Sequence, residues 1–120
     1  MDIDLKKFAN LKLPPIACGP GWLPLLDVTL SKIEARVGAD HDGLAITCIE
    51  EKWGRLTIYF SAIDAAGRHY DAIVKIVDDA EKRSTKICDQ CGAPGTVVTT
   101  TGGWAMARCE AHAPVGRPAE

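Results

Sequence analysis

The sequence predicts an α+β fold: two helices on a small antiparallel β-sheet, with a C-terminal hairpin held by cysteine and histidine. Three observations predict it. Apolar residues recur at helical spacing in two separate segments, Trp22 to Val37 and Tyr70 to Ala80. Two β-rich runs lie between them, joined by a Gly-bearing turn. Two half-sites of metal-ligand spacing then follow near the C-terminus. A chain of 120 residues with ordinary apolar content is long enough to bury one core.

Residues 1–17 form an N-terminal segment. Leu5, Phe8 and Leu11 predict a short amphipathic helix that Pro14-Pro15 ends. Residues 18–83 form an α-β-β-α core. Cys18-Gly-Pro-Gly-Trp22 is its turn-rich entry. Trp22, Leu26, Leu30, Ile33 and Val37 then mark an amphipathic helix of about four turns. Pro24 is tolerated in its first turn, and Gly38 ends it. Leu44–Ile49 and Leu56–Phe60 read as strands, with Glu51-Lys-Trp-Gly54 as the hairpin and Gly54 supplying a positive φ. Leu44, Ile46 and Cys48 share one strand face, and Cys48 reads as core. Ala65-Ala-Gly67 is a loop. Tyr70, Ile73, Val74, Val77 and Ala80 mark the second helix, running to about Arg83. The tail, 114–120, carries two prolines and is expected to be disordered.

Residues 84–113 form the third unit. Cys88-Asp-Gln-Cys91 and Cys109-Glu-Ala-His112 supply three thiolates and one imidazole, the ligand set of a closed tetrahedral zinc site. A CxxC turn lets two sulfurs reach one ion, and Gly92 follows where such a knuckle needs a backbone that glycine adopts cheaply. Thr96–Thr101 and Trp104–Arg108 flank Gly102-Gly103 and predict a hairpin. The order of knuckle, hairpin and helical ligand pair predicts a treble-clef-like module, with a zinc ribbon as the alternative. A redox dithiol would follow a βαβ pattern, which is not seen here. Four protein ligands leave no open position for water, so the expected single Zn2+ is structural. Asp89 and Glu110, beside the ligands, read as solvated surface.

The string from Cys18-Gly-Pro-Gly-Trp22 through Leu25-Leu-Asp27, Lys32-Ile-Glu34, Glu51-Lys-Trp-Gly-Arg-Leu56, Ile87-Cys-Asp-Gln-Cys-Gly-Ala-Pro-Gly95, Gly103-Trp104 and Cys109-Glu-Ala-His112 resembles small uncharacterised proteins of bacteriophages and prophages. That group often carries Lys-Phe-Gly-Gly-Leu at the first hairpin. Trp53 and Arg55 depart from it here. The resemblance implies a zinc-bearing accessory protein of a phage or bacterium and transfers no mechanism.

Other groups point to no chemistry. Cys18 reads as a spare thiol rather than a nucleophile. Asp40-His-Asp-Gly43 reads as a solvated turn. The chain presents no phosphate loop, acid–base pair or open metal site, so no enzyme and no small-molecule substrate is expected. No apolar run approaches the length of a membrane span, and Lys6-Lys7 is not followed by the apolar core of an export signal. Free cysteines then fit the cytoplasm of a bacterial host cell. A net charge of −2 argues against a strongly electrostatic partner. The expected role is therefore docking on a bacterial or phage protein as an inhibitor, adaptor or immunity-type factor. Trp53 and Trp104 are the candidate contact residues. Trp53 is also expected to pack on its hairpin, and Trp104 to cover the zinc hairpin. A DNA- or RNA-binding regulator is the alternative. It would need a continuous basic face over Lys75, Lys82, Arg83, Lys86 and Arg108.

Overall fold

Helix α1 spans Leu23–Val37 and lies after a 3-10 turn at Pro20–Trp22. Its apolar stripe, Leu26, Leu30, Ile33 and Val37, is buried. Gly38 closes the helix with φ 50, a conformation that costs a side chain energy. Strands β2 (Leu44–Lys52) and β3 (Arg55–Ala62) pair antiparallel, and α2 spans Tyr70–Ser84. Helix α2 packs against α1 and β3. The Ser84 hydroxyl accepts the Leu56 N–H at 2.8 Å and donates to the Glu81 carbonyl at 2.6 Å, tying the helix end to β3. The structure, a computed structural model, describes residues 4–114. The tail expected to be disordered falls, from residue 115 on, outside the described residues.

The α+β architecture is as expected, with three additions. First, the N-terminal segment joins the core. Only Leu5–Lys7 winds into a 3-10 turn, but Phe8 and Leu11 are buried in the same cluster as α1. Past Pro14-Pro15 the chain stays extended, and strand β1 (Ile16–Ala17) pairs parallel with β2. The sheet order is thus β1-β2-β3. Second, Cys48 is half-buried rather than core. The β2–β3 register shifts between Ile46 and Cys48, so the extra residue hands the inward position to Ile49. Third, the loops on either side of the sheet are 3-10 turns, Gly38–Gly43 and Asp64–His69. Asp40 joins them, lying 2.8 Å from His69 Nε2 and 3.1 Å from Arg68. It is an ion-paired link, not a free solvated turn.

Of the expected core, Trp22, Leu26, Leu30, Ile33, Ile46, Ile58 and Ile73 are buried. Phe60, Val74 and Val77 are half-buried. Phe60 lies near the open end of the sheet, where its ring meets exposed Tyr70 at 5.2 Å. Among the described residues, no helix is long and apolar enough to cross a membrane.

Candidate metal centre

The first half-site is a knuckle built by backbone hydrogen bonds. Cys88 N–H donates to the Ala93 carbonyl at 2.8 Å, and Gly92 N–H donates to the Cys88 carbonyl at 2.9 Å. Gly92 takes φ 83, the left-handed conformation expected of it. Strands β4 (Thr96–Thr99) and β5 (Ala105–Arg108) then form an antiparallel hairpin, with Gly103 at φ 87 in its tip. Strand β5 delivers Cys109, and a single 3-10 turn at Glu110–His112 brings His112 back. The second half-site is therefore a helical turn rather than a second knuckle, which is the treble-clef order with a minimal helix.

The four ligand atoms lie within 4.8 Å of one another, close enough to hold a metal ion. Cys91 Sγ is 3.7 Å from Cys109 Sγ. His112 Nδ1 is 3.3 Å from Cys109 Sγ and 3.8 Å from Cys88 Sγ. A tetrahedron with metal–sulfur bonds of ~2.3 Å and metal–nitrogen bonds of ~2.0 Å has edges of roughly 3.8 Å between sulfurs and 3.6 Å between sulfur and nitrogen. These three separations straddle the edges, and all four atoms lie within 4.8 Å, so an ion at the centre would draw the remaining ones together.

The electrostatics point the same way. Burial raises the Cys88 thiol, but hydrogen bonds from the backbone of Cys109, Gln90 and Cys91 outweigh it and bring it down to about 6. The Ala93 amide favours a thiolate at Cys91, yet burial and the Cys109 and Cys88 sulfurs push that thiol up. Converging sulfurs oppose one another's ionisation, and a shared cation removes that opposition.

Around the ligands sits a support that sequence reasoning missed. Asp89 is buried rather than solvated, while Glu110 is exposed as expected. Asp89 Oδ1 accepts from Arg108 Nε at 2.6 Å and from Gln90 Nε2 at 3.2 Å. Arg108 also donates to the His112 carbonyl at 3.1 Å, so one guanidinium clamps the knuckle to the turn that carries the fourth ligand. The knuckle in turn rests on the entry loop of α1. Gly21 N–H donates to the Asp89 carbonyl at 2.8 Å, and the Trp22 indole donates to the Ile87 carbonyl at 2.9 Å. The signal was the Gly-Pro-Gly before Trp22, since glycines flanking a buried aromatic often mark a close backbone approach.

The remaining candidates are placed as follows. Trp53 and Trp104 are 62% and 68% exposed, so neither is the packing residue expected of it. Trp53 and Gly54 both take positive φ, 55 and 81, making a two-residue turn. Gly54 is seated against Val97 and Met106 of the metal hairpin. The basic face that a nucleic-acid regulator would need is interrupted at two of its five residues: Arg83 binds Asp79 at 2.7 Å and Arg108 binds Asp89. Cys18 is half-buried, and burial together with the Asp89 charge pushes its thiol up to about 11, against nucleophilic use.

Fold and site together define a small α+β chain with a Cys3His cluster, close enough to hold a metal ion, docked on the turn that enters its first long helix. Comparison with family models, curated proteins and solved structures finds no match to this chain.

Proposed function

We propose that this chain is a non-enzymatic, zinc-stapled accessory protein of phage or prophage type that acts by binding another macromolecule in the host cytoplasm. One observation carries the reading: three sulfurs and one imidazole nitrogen converge within 4.8 Å of one another. Soft thiolates with one imidazole at that geometry suit Zn2+. Four protein ligands close the coordination sphere, so Cys88, Cys91, Cys109 and His112 would hold the ion as a structural staple. The metal supplies rigidity there, and the chain's own surfaces supply recognition.

A protein partner fits the tip of the metal hairpin. Trp104 stands exposed, and Thr96 through Met106 carries no charged residue. An uncharged, preorganised aromatic tip suits docking into a pocket on a bacterial or phage protein.

The test is elemental analysis of protein purified without chelator, followed by the same measurement on Cys91→Ser. One zinc per chain, lost in the variant together with the near-UV signal, is the expected result. Metal-free, fully folded wild-type protein would overturn the reading. Trp104→Gly should abolish capture of a protein partner without loss of zinc.

A further inference from the structure

The turn at the far end of the β2–β3 hairpin breaks a local rule. Two-residue turns with positive φ at both positions favour Asn-Gly or Gly-Gly, because a bulky side chain is strained there. Here Trp53 holds φ 55 and leaves most of its ring in solvent. Only partial burial offsets the strain. Such a conflict between local preference and sequence marks a functional position.

The surroundings of that ring differ in kind from those of Trp104. Lys52, Trp53, Arg55, Thr57, Tyr59 and Glu81 line a groove of about 410 Å³. Arg55 and Glu81 are shared with an adjoining groove of about 460 Å³, lined further by Lys82, Thr85 and Lys86. The two form one continuous track. Along it lie four cations and one carboxylate, on a chain whose net charge is −2. The Arg55–Glu81 contact is long, 3.9 Å, and both side chains are exposed, so it withdraws little charge. Glu50 stands opposite Thr57 in the register. Asp79 is engaged by Arg83. Asp78 borders the track one helical turn before Lys82. Tyr59 is the second exposed aromatic, with Lys52 Nζ 5.9 Å from its ring centre.

We propose that this track, Trp53 and Tyr59 interleaved with Lys52, Arg55, Lys82 and Lys86, binds single-stranded nucleic acid. Unpaired bases stack on the aromatic faces, and the cations follow the phosphates. A duplex hides the base faces that the tryptophan would use, so single strands are preferred. The site goes beyond the zinc reading but rests on it, because the stapled hairpin is what Gly54 seats against.

The experiment is fluorescence anisotropy of a labelled mixed-sequence single-stranded DNA of about 20 nucleotides, and of the matching RNA, with zinc-loaded full-length chain at 50 and 200 mM salt. Three or four phosphate contacts predict an affinity drop of roughly 20- to 50-fold across that range. Trp53→Gly should weaken binding by about ten-fold or more while keeping the turn, since glycine takes φ 55 freely. Lys82→Gln with Lys86→Gln should flatten the salt dependence. Trp104→Gly should leave it unchanged. A folded, zinc-loaded chain that leaves the oligonucleotides free overturns this proposal, as does binding indifferent to Trp53→Gly, or duplex bound as tightly as single strand. Salt-insensitive, Trp53-dependent capture of a protein would assign the track to a protein partner instead. Loss of zinc or of folding in the wild type would sink the metal reading, and metal content with circular dichroism separates the two failures.

Discussion

Replacing Gly21 with alanine probes how strongly the metal knuckle and the helical core depend on each other. Gly21 lies within the Pro20–Trp22 turn, where crowding rather than backbone angle demands a glycine. A methyl added there would overlap the Cys88 carbonyl oxygen, and it would lie 2.6 Å from Gly92 N and 2.7 Å from the Asp89 carbonyl carbon. All of these are backbone atoms, so no side chain can rotate away. The loop must lift from the knuckle. That breaks the Gly21–Asp89 hydrogen bond and stretches the one from Trp22 to Ile87. Losing one such bond costs ~1 kcal/mol, and stranding a buried partner adds ~1–3 kcal/mol. Overpacking adds a similar ~1–3 kcal/mol. We expect a loss of about 3–7 kcal/mol, a large share of a domain's typical ~5–15 kcal/mol. For a chain of this size that is a fall in Tm of roughly 10–30 °C. The assay is thermal and urea unfolding of zinc-loaded protein followed by far-UV circular dichroism, with metal content measured in parallel. Zinc should stay bound at one per chain, because no ligand is touched. Gly38→Ala is the contrasting control. Its methyl would meet nothing within 4 Å, but φ 50 strains the backbone, so about 1–2 kcal/mol is expected. A Gly21→Ala protein melting within ~2 °C of wild type would refute the reasoning.

Three further outcomes are expected. Trp53→Gly should change stability by less than about 1 kcal/mol in urea titration, because relief of the positive φ is offset by glycine's freedom in the unfolded chain and by loss of the ring's partial burial; a larger loss would show that the ring packs as a structural residue. Ser84→Ala should destabilise it by about 1–3 kcal/mol, since the buried Leu56 N–H loses its acceptor; a smaller change would mean that another group takes that N–H. At Asp40, the hydrogen bond from His69 comes first and Arg68 adds to it, together holding the carboxyl below its ordinary 3.8. A depressed folded value means this contribution is present above pH 3.8 and lost as pH falls through the lowered value. Asp40→Asn should therefore flatten the acid limb of a stability–pH curve, and an unchanged limb would show that the pairing is immaterial to folding.

Helices and strands were legible because their signals are periodic. The stripe from Trp22 to Val37 needs only a 3.6-residue repeat to be read, and Gly38 marks its end. The ligand set was legible because thiolates and imidazole at CxxC and CxxH spacing have few other uses. The features that escaped depend on registration between distant segments. The bulge that displaces Cys48 is invisible in alternation, which gives the same pattern with or without an extra residue. Strand β1 is too short to carry a period. Asp89 looked solvated because its neighbours in sequence are polar; its burial comes from Arg108 and the loop at Gly21, both remote along the chain. Trp53 and Trp104 were misplaced as packing residues for the opposite reason. Hydrophobicity argues for burial, but a turn tip offers nothing to bury against.

The indole bond from Trp22 to Ile87 spans a sequence separation of 65 residues. Closing a loop of that length costs about 4 kcal/mol in chain entropy before any contact repays it. Helix α1 therefore waits on a segment made 65 residues after Trp22. A nascent chain can form α1 locally, but the socket for Trp22 exists only once the knuckle has left the ribosome and closed. If zinc closes it, metal supply sets the moment at which the N-terminal half becomes protected, and a cell short of zinc would accumulate chains whose helices form and reopen, exposed to proteases at both ends.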